Sequence, residues 1–153
     1  MKKGTITVGL ASVLLVVAGA HTFVVYQRDG TTPIALRTLY TEHRLRVSLA
    51  TTPEEQRVGL MWVKKLRRDG GMLFAYEQPH LASFWMQNME IPLDILFIGA
   101  DHQIKRIVRE AYPCLPNVVC PRFVSPEPVQ YVLEVTSGYA KDHQVEVGDE
   151  LIL

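Results

Sequence analysis

No charge of either sign is in excess in this sequence: its 153 residues carry 16 Lys and Arg against 16 Asp and Glu, a formal net charge of zero. Neutralising a phosphate backbone draws on clustered excess Lys and Arg, so the composition argues against nucleic acid as a partner. Cysteine is scarce, with two residues, which excludes a disulfide-dense miniprotein. A hydrophobic share of 48% excludes a disordered tail, and ten Gly without a period exclude a collagen-like rod. The signatures of common chemistries are missing too. His21, His43, His80, His102 and His143 include no pair at His-Glu-x-x-His spacing, so a sequence-local zinc site is excluded. There is no Gly-x-Ser-x-Gly elbow, no Gly-rich phosphate loop leading to Lys and no dinucleotide fingerprint. No motif calls for a metal or cofactor, and no internal repeat or low-complexity tract is present. The length is that of one domain.

What is present begins with an asymmetry. The first 26 residues hold no acid and, as bases, only Lys2 and Lys3, so residues 27–153 carry 14 basic and 16 acidic side chains, a net charge of −2. Gly4 to Tyr26 is a run of 23 residues whose one strongly polar side chain is His21. As a helix it would be roughly 35 Å long, enough to cross a hydrocarbon core of about 30 Å. The Lys pair favours a cytoplasmic N-terminus and a translocated body. Ala18-Gly19-Ala20 also satisfies the small-x-small rule for signal peptidase after the apolar stretch Leu10 to Val17. Residues 1–26 are therefore expected to be a signal peptide or a transmembrane anchor. Phe23-Val24-Val25-Tyr26 favours the anchor, because a mature N-terminus seldom opens on so apolar a stretch. Either way the remainder is exported, anchored in the inner membrane and facing the periplasm, or periplasmic if the segment is cleaved.

Cys114 and Cys120 fit that compartment. Five residues separate them in a segment running from Pro113 to Pro121, long enough for a local disulfide. The alternative, a reactive pair, lacks Cys-x-x-Cys spacing. The exported part divides into a linker and first strand over 27–42 and a single β-rich domain over 43–153. Leu45, Val47 and Leu49 alternate with Arg44, Arg46 and Ser48, a strand with one buried face. Thr52, Pro53 and Glu55 form a capping box opening a short helix that ends near Leu60 or Met61. Further strands are expected over Met72–Tyr76, Ala82–Asn88, Leu93–Ile98, Gln103–Val108 and Val129–Val135. A helical turn follows at Tyr139–His143, and Leu151–Leu153 closes the sheet. Many short strands with few helices mean an all-β domain: a sandwich, a jelly roll or a compact barrel-like roll.

Candidate chemistry concentrates in one hairpin. Period two puts Phe84, Met86 and Asn88 on one strand face and Trp85 and Gln87 on the other. Asp94 lies among Leu93, Ile95, Leu96 and Phe97, where a buried carboxylate needs partners. One reading makes Trp85, Met86, Asn88 and Asp94 a ligand pocket. The other has Asp94 capping the turn after Pro92 and Asn88 tying down the hairpin. Asp94 with Asn88 or Glu134 would serve a small enzyme. Met61, Met72, Met86, Met89 and His80 raise a Cu(I) site, although Met is also ordinary core filler. The basic run Lys64-Lys65-Leu66-Arg67-Arg68 reads as a solvated loop, with anionic headgroups or an acidic partner as the alternative.

Gly59-Leu60-Met61, Gly71-Met72-Leu73-Phe74, Phe84-Trp85-Met86-Gln87-Asn88 and Ile91-Pro92-Leu93-Asp94-Ile95-Leu96-Phe97, with Tyr131-Val132-Leu133-Glu134-Val135 and Val147-Gly148-Asp149, resemble the bacterial and archaeal domain-of-unknown-function family numbered 192. The resemblance runs from about Leu45 to Leu153. Where the family usually has Trp-Met-Lys-Asn-Thr, this chain has Trp85-Met86-Gln87-Asn88-Met89, so a charge is missing. Cys114 and Cys120 with Pro121 look like the Cys pair of many members. The resemblance implies an exported all-β domain of sandwich or jelly-roll type and brings no reaction with it. The leading expectation is a non-enzymatic, envelope-located binding or accessory module, with the membrane and a small ligand or another envelope protein as partners.

Overall fold

Alternating apolar residues build the first hairpin. In β1 (Thr32–Arg37) and β2 (Glu42–Ala50), paired antiparallel, Ile34, Leu36, Leu45 and Val47 are buried while Arg44 and Arg46 face solvent. This is the computed structural model of residues 30–153. The signal-or-anchor segment over 1–26 lies outside those described residues, among which no helix is long and apolar enough to cross a membrane.

From β2 the chain crosses over through α1 (Pro53–Val58) to β3 (Gly70–His80), which pairs with β2 in parallel. The helix starts where the sequence places it. Thr52 accepts from the Glu55 N–H, and the Glu55 carboxylate accepts from the Thr52 N–H, closing the capping box. It ends earlier than expected, because Gly59 turns at φ +52°. The Gln56 amide donates to the carbonyls of Ala50 and Ala75, pinning the helix across β2 and β3.

The remaining strands are β4 (Ser83–Trp85), β5 (Leu93–Ile98), β6 (Ile104–Ala111), β7 (Arg122–Val124), β8 (Val129–Thr136) and β9 (Glu150–Ile152), with α2 (Tyr139–Asp142) before the last. The chain is mainly β with two short helices, as expected. Instead of the two facing sheets of a sandwich or jelly roll, seven strands form one sheet in the order β6-β5-β8-β3-β2-β1-β9, and β4 and β7 form a separate ribbon. The long sheet curls until its edges meet. Gln103 bridges to Glu150, the Leu151 N–H donates to the His102 carbonyl at 2.9 Å, and the Ile104 N–H donates to the Asp149 carbonyl at 2.9 Å. Bringing the edges together satisfies backbone groups that a flat sheet would expose. The C-terminal strand thus closes the sheet, as its sequence indicates.

Curling gives the sheet two cores. One takes side chains from all seven strands, including Ile34, Leu45, Leu73, Leu96, Ile104, Leu133 and Leu151, and so fills the inside of the roll. Tyr139 and Ala140 of α2 join it. The other lies outside, where Phe74, Leu93, Ile95, Phe97 and Val132 are covered by Leu60, Ala82 and Met86, with Val63, Leu66, Phe84 and Phe123 packed against them. Strand β5 is buried along its whole length because it is covered on both faces. Gly71 is required where β3 meets β8, since a Cβ there would collide with the Glu134 carbonyl oxygen.

Candidate functional site

Strand register decides what the two buried acids can do. Across β5 and β8, Ile95 stands opposite Glu134 and Asp94 opposite Val135. Directly paired residues share a face and neighbours alternate. Glu134 therefore faces the outer core with Ile95, and Asp94 faces the inside of the roll. The two carboxyls are not a pair.

Asp94 is fully buried and both of its oxygens are engaged by backbone. Oδ1 accepts from the N–H of Glu110 at 2.8 Å and of Gly138 at 3.1 Å, and Oδ2 accepts from the N–H of Ala140 at 2.9 Å. Glu110 sits at φ +52° where β6 slips register against β5, so Asp94 clamps that irregularity and the start of α2 together.

Glu134 is the reverse case. It is 4% exposed, in a strand flanked by β3 and β5, and its buried Oε2 has no hydrogen-bond partner. Burial pushes its carboxyl up to about 8, so the group is mostly protonated at neutral pH. Its strand partners are Met72 and Ile95. Tyr76 lies close enough for the Glu134 charge to add to burial in pushing the phenol up to about 12. Above it passes the turn after α1. A Cβ built on Gly59 would stand 3.1 Å from the Phe74 ring and 4.0 Å from Glu134 Oε2. Glycine here keeps the backbone close over the acid, and its φ is one that a side chain would strain.

Asn88, one of the hairpin residues expected to form a site, is tied to this turn. Asn88 is exposed at φ +60°; its Nδ2 reaches Met61 Sδ at 3.7 Å and its carbonyl accepts from the Trp62 N–H at 2.9 Å. It thus stitches the hairpin to the turn that covers Glu134. The left-handed Asn88 also ends β4 early, in place of the longer strand expected over Ala82–Asn88. Met86 is buried in the outer core, and its carbonyl accepts from the Cys114 N–H at 3.1 Å. Trp85 is exposed and carries the Arg122 guanidinium 4.3 Å over its ring. Cys114 and Cys120 are joined in a disulfide. Of the methionines raised as copper ligands, Met72 and Met89 pack against the outer core beside Met86. His80 meets Tyr76 edge-on at 4.2 Å. Among the described residues no group of three or more His, Cys, Asp and Glu is arranged to hold a metal.

Away from Glu134, a cleft of about 480 Å³ is lined by Glu42, His43, Arg44, Arg68, Asp69, Tyr139 and His143. His143 stacks on Tyr139 at 3.9 Å and meets His43 edge-on at 4.8 Å, and His43 Nε2 is buried without a partner. Sequence reasoning does not reach this cluster, because its histidines lie a hundred residues apart in the chain. Glu134 entered that reasoning only as a companion to Asp94. The signal for it was available: a single acid inside the apolar run from Tyr131 to Val135.

Fold and site together define a class: a curled β roll with an outer apolar layer, in which a buried, unpartnered carboxyl lies beneath a glycine turn. The chain belongs to the DUF192 family, described as an uncharacterized ACR, whose model matches residues 35–153. Two crystal structures are similar in fold and sequence. A Sinorhizobium meliloti 1021 protein, described as a candidate transcription regulator, is 36% identical with a TM-score of 0.74, over 80% of this chain and 92% of that one. A protein of unknown function from Novosphingobium aromaticivorans DSM 12444 is 30% identical with a TM-score of 0.77, over 89% and 100%. No curated protein matches. Gly59, Met72, Phe74 and Ile95, all within the segments that carry the family resemblance, are residues that pack around Glu134.

Proposed function

We propose that this chain is an exported, envelope-located binding module without enzymatic activity, held to the membrane by its N-terminal segment, and that Glu134 is the polar anchor of its ligand site. The observation that carries the reading is the buried Oε2 with no partner. A buried acceptor left unpaired costs about 1–3 kcal/mol, and a fold retains such a cost where a ligand supplies the missing donor. The matching ligand is a small molecule, or a side chain of another envelope protein, that presents an N–H or O–H on an apolar body. Met72, Phe74 and Ile95 supply the apolar surround, and exposed Asn88 holds the turn that covers it. The local disulfide supports an oxidising, exported setting.

Native mass spectrometry of the chain purified from its own envelope tests this. Wild type is expected to retain a bound species that Glu134→Leu, still folded, has lost. Wild type recovered folded and free of any such species would count against the site.

One observation favours a second reading. A carboxyl that stays protonated near neutrality is suited to proton transfer, and the acid open to such work is Glu134, since Asp94 spends both oxygens on backbone. On that reading, activity with the retained molecule falls as pH rises through about 8.

A further inference from the structure

We infer that the cleft between the start of β2 and α2 is a second binding site, one for a small organic anion: a carboxylate or phosphate carried on a flat ring. It stands apart from the Glu134 site and does not rest on it. Tyr139, which lines the cleft, belongs to the inner core, whereas Glu134 faces the outer one.

Backbone bonds fix the walls. Glu42, His43 and Arg44 open β2, and Arg68 and Asp69 come just before β3. The Arg46 N–H donates to the Asp69 carbonyl at 2.8 Å, which holds the second segment against the first. From the other side α2 supplies Tyr139, with His143 at its C-cap. The Asp94 carboxylate accepts from the N–H groups on both sides of that tyrosine, those of Gly138 and Ala140. Asp94 is thus a positioning residue for the Tyr139 ring. The Tyr139 carbonyl accepts from the backbone N–H of His143 at 3.0 Å and from its Nδ1 at 2.9 Å, which lays the imidazole on the phenol.

The lining matches a ring that carries a negative charge. A volume of about 480 Å³ is that of a small-molecule cleft. Three of its side chains are rings, His43 standing edge-on to His143 and His143 stacked on Tyr139. A planar ligand packs against such rings offset or edge-to-face. The acids of the cleft already have cations: Asp69 pairs with Arg67 at 3.3 Å, and Glu42 lies 4.0 Å from Arg37 and 3.8 Å from Arg44. Arg68 has no carboxylate within ion-pair distance among the described residues, and both it and Arg44 are exposed. A guanidinium fork left unpaired at the mouth of a cleft suits a carboxylate or phosphate. Two further donors serve the same anion. Burial, with the Asp69 charge adding to it, pushes the Tyr139 phenol up to about 12, so it keeps its proton. His43 Nε2 is buried without a partner, and with the proton on that nitrogen it donates to an anionic oxygen.

The test is calorimetric titration of the full chain, in a neutral detergent, with phenyl phosphate, benzoate, inorganic phosphate and benzyl alcohol. Phenyl phosphate or benzoate is expected to saturate the chain and to bind about tenfold or more tighter than inorganic phosphate or benzyl alcohol, each of which lacks one half of the interaction. Inorganic phosphate or benzyl alcohol binding as tightly as both ring anions would contradict the ligand class. Replacing both cations, Arg44→Ala with Arg68→Ala, touches no buried side chain. The double variant should keep the wild-type circular dichroism spectrum and weaken binding by about tenfold or more. In magnetic resonance spectra the ring protons of His43 and His143 should shift on titration while those of His80 and His102 stay. No saturation by either ring anion, or saturation that the double variant leaves unchanged, overturns the site. Glu134→Leu should bind the anion as wild type does; loss of the anion in that variant, or a shift at His80 in place of the cleft histidines, would move the ligand to the Glu134 site and end this proposal while leaving that one standing.

Discussion

Asp94 and Glu134 lie one residue out of register on neighbouring strands, and that offset sends one carboxyl into a ring of backbone donors and the other into apolar surroundings with none. Their substitutions should therefore act in opposite directions. In Asp94→Asn, an amide NH₂ or the loss of one charged acceptor leaves a backbone N–H unpaired, which should cost about 2–3 kcal/mol in chemical denaturation. An unchanged midpoint would show that the clamp on Glu110, Gly138 and Ala140 is dispensable. Glu134→Leu removes a buried carboxyl and fills the same space with carbon, so at neutral pH it should stabilise by roughly 2 kcal/mol, while bound material is lost. Stability gained at the expense of binding is the usual mark of a site. At this scale the sequence identifies Asp94 as an anomaly in an apolar run, and the run from Tyr131 to Val135 carries the same signal for Glu134. It does not tell them apart, because the three N–H groups that occupy Asp94 come from β6 and from the start of α2, far away in the chain.

Helix α1, the ribbon and the disulfide loop were legible to different degrees, for physical reasons. The capping box at Thr52 is local chemistry, written in four consecutive residues, and it forms as the sequence indicates. The ribbon strand β7 has three residues and no room for an alternating pattern, so only its pairing with β4 reveals it. The parallel pairing of β2 and β3 is equally hidden, since a half-buried alternating strand reads like an antiparallel one. Two predictions belong here. Gly59→Ala places a Cβ 3.1 Å from the Phe74 ring at a strained φ, so it should destabilise by about 1–3 kcal/mol and displace the turn over Glu134. Thermal denaturation together with ligand retention measures both effects. Reducing Cys114–Cys120 releases a loop closed by a short span, worth about 2 kcal/mol on a chain-entropy model. The melting temperature should fall with far-ultraviolet circular dichroism unchanged; a collapse of the β spectrum would mean that the disulfide holds more than its own loop.

The whole molecule is a sheet that closes on itself and carries a second apolar layer outside. Mainly β structure with two short helices was readable from strand lengths and turn residues. Closure was readable only as a hint in the last three residues, because edge meeting edge is a property of accumulated twist and coil in seven strands rather than of any one segment. The outer layer explains why an acid in a central strand is cut off from water, and it gives the chain a global pH dependence. The folded state holds the Glu134 proton up to about pH 8, whereas the unfolded chain releases it near its ordinary 4.5. Between those values the folded state binds the extra proton, so its stability is greatest below the window and is lost as pH rises through it. Each pKa unit is worth about 1.4 kcal/mol, so the loss is on the order of a few kcal/mol. The most direct test is the unfolding free energy of ligand-free wild type and of Glu134→Leu, measured by denaturant titration across that window. A wild-type profile that falls toward pH 8 while the variant lacks that fall is the predicted result; two parallel profiles would contradict a buried, unpartnered carboxyl at position 134.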